Sequence, residues 1–105
     1  MKLLTAAIIK KLEKNPLYSG DSNTVSPVLV KFFTPWSNWT WYVLEGTKDE
    51  EGWLFFGLVD GHEKELGYFR LSELEEVAGP AGLIERDRYF DGYVVDKTNN
   101  TVRKA

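Results

Sequence analysis

Leu4, Ile8 and Leu12 recur every fourth position with Ile9 beside them, drawing one apolar stripe along a helix of about three turns. Thr5 stands where a capping hydroxyl is wanted. Lys10, Lys11 and Lys14 gather at the end whose carbonyls favour cations, and Asn15-Pro16 stops the run. The next segment, LYSGDSNTVSP, is dense in turn formers and is expected to be a loop or connector. The period then changes to two. VLVKFFT (28–34) is β-branched and aromatic, and WTWYVLEG (39–46) places Trp39, Trp41, Val43 and Glu45 on one face with Thr40, Tyr42 and Leu44 on the other. WLFFGLVDG (53–61) is apolar on both faces, which predicts an interior strand covered on both sides. DGHEK turns it back into ELGYFR (65–70).

Ser72 and Glu75 then form a Ser-x-x-Glu capping pattern, with Leu74 and Val77 as the buried side of a short helix and Gly79-Pro80 as its end. IERDRYF alternates charged and apolar positions, as a strand or an irregular arm, and GYVVD is a candidate last strand. KTNNTVRKA is expected to fray. The order predicts a single α+β domain over residues 1–105: an antiparallel meander of four to five strands, an N-terminal helix, and a short helix after the fourth strand. Residues 19–27 are expected to be a polar connector and residues 97–105 a flexible tail.

Composition narrows the function. Cys is absent, which removes disulfides, thiolate metal sites and a thiol nucleophile together. The net charge of −3 disfavours a protein that works by coating phosphate backbones, so direct nucleic-acid binding is not expected. The apolar run from Leu3 to Ile9 is too short for a secretory signal, and no stretch is long enough for a membrane span; a cytoplasmic protein is expected.

Candidate chemistry is sparse. Trp39 and Trp41 have the period of a sheet core, whereas Trp36 lies in the turn TPWSN with no periodic reason to be buried, and is either packing or a binding patch. His62 with Glu63 and Glu65 is half of a His-Glu-x-x-His motif. Its second histidine does not exist, so no metal and no cofactor are expected. Nothing matches a nucleophile elbow or a phosphate-cradling glycine loop. Acids cluster at 49–51, at 60–65, at 73–76, and at Glu85 and Asp87, with Arg86 between the last two on the opposite strand face.

The strings FFTPWSNWTWYVLEG, GWLFFGLVDGHEKELGYFRLSELEEV and GLIERDRYF, in that order from about residue 28 to residue 90, resemble the domain-of-unknown-function family 2958 (DUF2958). The resemblance implies association with bacterial plasmids, conjugative elements and phages, sometimes near anti-restriction genes. It transfers no activity and no catalytic residue. Its hallmark positions in this chain are Trp36, Trp39, Trp41, Glu65, Gly67, Tyr68, Glu85, Arg86 and Asp87.

The expectation is a non-catalytic accessory binding protein of a mobile element or phage. It would touch a protein partner with a basic surface, for instance in anti-restriction or anti-CRISPR counter-defence. Trp36 would be the anchor, with His62, Glu63, Glu65, Glu85, Arg86 and Asp87 as a polar surround. The alternative is a small enzyme or ligand pocket in which Glu65, Glu85 or Asp87 does acid–base work beside His62. Single-strand nucleic-acid binding through exposed tryptophans is a third reading, weakened by the negative charge.

Overall fold

The structure is a computed structural model and describes residues 3–78 and 83–105. Its helix α1 spans Ala6–Glu13, capped by the Thr5 side chain, which accepts the Ile8 N–H at 3.2 Å. Leu12 is fully buried from this helix, with Leu4 and Ile8 packed beside it, as the stripe requires.

Six further elements follow the meander order. Strands β2 (Val30–Phe33), β3 (Thr40–Asp49), β4 (Gly52–Asp60) and β5 (Lys64–Arg70) pair antiparallel in sequence, and β6 (Glu85–Arg86) returns to the outer edge of β2. The five-stranded order is β5-β4-β3-β2-β6, so β4 is interior as its two apolar faces demand. Helix α2 (Leu71–Ala78) leaves β5 without a loop. Ser72 therefore sits inside its first turn instead of before it. The buried side is Leu74 and Ala78 while Val77 is exposed, so the predicted Leu74/Val77 face is rotated by one residue. The predicted Gly79-Pro80 stop lies outside the described residues.

Two regions expected to be irregular are structured. The connector contributes β1 (Val25–Pro27), and the supposed tail contributes β8 (Thr101–Lys104); both pair antiparallel with β7 (Tyr93–Asp96) in a second, three-stranded sheet of order β1-β7-β8. The chain steps from the small sheet to the large one through Val28, whose N–H donates to Tyr93 O, and Leu29, whose N–H donates to Val43 O. Strands β1 and β8 lacked a periodic signal because each is only three or four residues long and β8 is largely polar, whereas the candidate strand GYVVD is found as β7.

The result is three layers. Both helices cover one face of the large sheet, with Leu12 and Leu74 packed over Phe32, Trp41, Val43, Phe55 and Phe69. The small sheet covers the other over Val28, Leu44, Leu58 and Val95. Burying side chains of this kind is worth roughly 1.5–3 kcal/mol each.

One register shift matters. A β-bulge at Leu44 lets Val43 face Gly57 and Glu45 face Phe56, so a single extra residue reverses the alternation. Glu45 thereby leaves the face of Trp41 and Val43, where simple alternation puts it, and enters the face of the small sheet. It is 4% exposed.

Candidate binding rim

The turns TPWSN and GHE close the same end of the large sheet. Across that end one row of paired residues runs Lys64, Asp60, Thr40, Phe33, Glu85. The β2–β3 turn carries Trp36 beyond this row and the β4–β5 turn carries His62 and Glu63 beyond it. Directly paired residues share a face of the sheet. The neighbouring row on the helix face therefore begins with Glu65 at the β5 edge and ends with Arg86 at the β6 edge, through Val59, Trp41 and Phe32. Four strand steps separate its ends, roughly 19 Å.

At the centre of the rim Trp36 is 58% exposed, and its Nε1 donates to the Leu83 carbonyl at 3.2 Å. Pro35 before it and the Thr34–Ser37 hydroxyl bond at the turn restrict its backbone. Leu83 is also exposed, and its own N–H donates to Ala78 O. The indole is thus tied to the chain leading into β6 and still open to solvent.

At the β5 edge, Trp39, Val59, His62, Glu63 and Glu65 line a hollow of about 280 Å³. Trp39 stacks on Trp41 at 6.0 Å and meets the His62 ring edge-on at 5.5 Å. The turn needs Gly61 here, because a Cβ at that position would overlap the Trp39 indole. Trp41 is buried and Trp39 half-buried, so the periodicity read them correctly. His62, Glu63 and Glu65 are all exposed.

Glu85, Arg86 and Asp87 form the other flank, all half-buried. Asp87 stands 3.6 Å from the Lys31 ammonium, and its N–H donates to Lys31 O. The ammonium also lies over Phe90 at 4.9 Å, with Tyr42 and Phe33 slightly farther. Asp87 is therefore engaged in a charge-and-aromatic cluster. The sheet brings His62, Glu63 and Glu65 together and sets Glu85 and Asp87 at the opposite edge, so these carboxylates do not converge on His62.

The acids at 49–51 have a structural use. Arg70 donates to both Asp49 carboxylate oxygens, at 3.0 and 2.8 Å, and its Nε lies 3.7 Å from Glu51. The Arg70 hydrogen bonds hold the Asp49 carboxyl below its ordinary range. This ties the β3–β4 hairpin to the end of β5. Among the described residues no group of three or more acidic or His side chains is placed to hold a metal ion, and no helix is long and apolar enough to cross a membrane.

A family model described as a protein of unknown function (DUF2958) matches residues 3–96. The chain belongs to this family. The match runs beyond the region 28–90 that carried the resemblance: it takes in α1, the connector with β1, and β7. No curated protein and no solved structure gives a significant match. Of the positions that carried the resemblance, Trp41 is core, while Trp36, Glu65, Tyr68 and Glu85 keep access to solvent.

Glu45 and Lys31 are the residues that pattern reading overlooked. The signal for Glu45 was present as a single acid between Leu44 and Gly46 in an otherwise apolar run. Lys31 gave the same kind of signal between Val30 and Phe32.

Proposed function

We propose that this DUF2958 protein is a non-catalytic binding domain that docks a basic surface of another protein through the rim bearing Trp36, His62, Glu63 and Glu65. The observation that carries the reading is Trp36, an indole 58% exposed yet fixed by its bond to Leu83. A large aromatic held open is a ready anchor, because little side-chain entropy is left to lose on docking. The exposed Glu63 and Glu65 supply charges that steer a cationic surface toward it. Glu85, Arg86 and Asp87 extend the contact along the β6 flank.

The specific version is an accessory protein of a plasmid or phage that occupies the basic nucleic-acid site of a host restriction or CRISPR component in the cytoplasm. It rests on the family resemblance and on the acidity of the rim. The separation of Glu65 from Glu85 and Asp87 across the sheet favours binding over acid–base catalysis by that set.

The test is affinity capture from host lysate, with and without nuclease, using the wild type and a Trp36→Ala/Glu65→Ala variant. The expected result is a basic protein that survives nuclease treatment and is lost with the variant. Capture abolished by nuclease, or unchanged by the variant, overturns the reading.

A further inference from the structure

On the far side of β6 from the β5 edge, α1 and the β6 arm enclose a groove of about 460 Å³. Ile8, Leu29, Val30 and Phe90 give it an apolar floor, and Lys11, Arg86 and Arg88 give it basic walls. We infer that this groove binds a small oxyanion carried on an apolar body, a phosphate or a carboxylate.

Three observations converge. The volume lies within the roughly 300–1,000 Å³ typical of small-ligand sites, and an apolar floor with a few charged groups at its margin is their usual lining. The charge is positive in a protein whose net charge is −3. Two carboxylates also line the groove: Asp87 is paired with Lys31, and Asp91, which accepts the Gly92 N–H at 3.0 Å, sets one negative charge against the cations of Lys11, Arg86 and Arg88. Lys11 and Arg88 are exposed, one on α1 and one just past β6, so two cations approach one space from opposite walls. An arginine fork and a lysine ammonium are complementary to the oxygens of a phosphate or carboxylate. The groove draws on none of Trp36, His62, Glu63 or Glu65 and shares only Arg86 and Asp87 with the β6 flank of the rim.

The test is a titration of the 15N-labelled full chain, followed by amide chemical shifts, with three probes: inorganic phosphate, AMP and phenylacetate. The expected result is a saturable response at Lys11, Val30, Arg88 and Phe90. AMP or phenylacetate should outbind phosphate because each adds an apolar body, and the tighter of the two identifies the oxyanion. A Lys11→Gln/Arg88→Gln variant should bind at least about tenfold more weakly, since each change removes a charge-assisted hydrogen bond. The single Arg88→Gln variant, with the exposed Lys11 retained, should show a smaller loss. A Lys14→Gln/Lys48→Gln control, removing two exposed lysines outside the groove, should keep full affinity. No saturable response to any probe, responses elsewhere, unchanged affinity in the groove variants, or an equal loss in the control would each overturn the assignment.

Discussion

The carboxylate of Glu45 accepts the backbone N–H of Tyr18 at 2.8 Å across 27 positions of sequence. Its second oxygen accepts the N–H of Gly20 at 2.8 Å. One acid from the centre of β3 thus gives a turn-rich segment its shape, holding Tyr18 at a left-handed φ of 74° that non-glycine residues seldom adopt. The Lys97 ammonium donates to Gly20 O from the other side. The segment 17–24 is in this way fastened both to the large sheet and to the β7–β8 hairpin.

Removing the carboxylate leaves two donors without their partner. Glu45→Ala is expected to destabilise the fold by about 2–4 kcal/mol, measured as a shift in the urea midpoint. Glu45→Gln keeps one carbonyl oxygen but turns an amide donor toward the other N–H, and should cost less than Ala. Gly20→Ala should also destabilise, because its methyl would stand 2.8 Å from the Glu45 carboxylate. Amide exchange at Gly20 should accelerate in the Glu45 variants.

The meander, its helices and the interior place of β4 were legible because each rests on a period carried over several residues. Glu45 shows where that legibility stops. Alternation assigned it to the face of Trp41 and Val43, and one bulged residue reversed the assignment. A bulge is settled by packing on both faces at once, and this sheet has a second layer that periodicity does not reveal. The rim has a similar history. Trp36 stood out by lacking a period, but its bond to Leu83 spans 47 positions and has no local signature.

Gly61 packs beneath Trp39, and any side chain there must displace the indole. Gly61→Ala is expected to cost about 1–3 kcal/mol, the range for overpacking a well-filled site. Trp39→Ala combined with Gly61→Ala should recover part of that coupling in a double-mutant cycle read by urea unfolding. Trp36→Ala, at an exposed position, should shift stability by only about 0.5 kcal/mol.

Asp49 makes stability depend on pH. Its folded-state pKa lies below the ordinary value of 3.8, chiefly through the Arg70 hydrogen bonds. The Asp49–Arg70 contribution is therefore fully present above that ordinary value, and is lost as pH falls through the lower folded value. Asp49→Asn should be less stable than wild type at pH 7, and the gap in urea midpoints should close in acid. Added salt should narrow it at neutral pH, since Asp49 and Glu51 are exposed.

The hairpin of β7 and β8 offers a direct contrast between a tail and a strand. Val95 is fully buried against Leu44 and Leu58, and its antiparallel partner is Val102. Truncation after Asn100 removes Val102 and leaves one side of β7 without its ladder, whereas a frayed tail would be dispensable. The expected loss is about 1 kcal/mol or more from the apolar surface uncovered, with faster amide exchange along Tyr93–Asp96. Val102→Ala in the full-length chain should reproduce part of the stability loss while keeping the ladder, and Val102→Thr should do the same. If truncation left both the urea midpoint and exchange along β7 unchanged, β8 would have no part in holding the second sheet over the first.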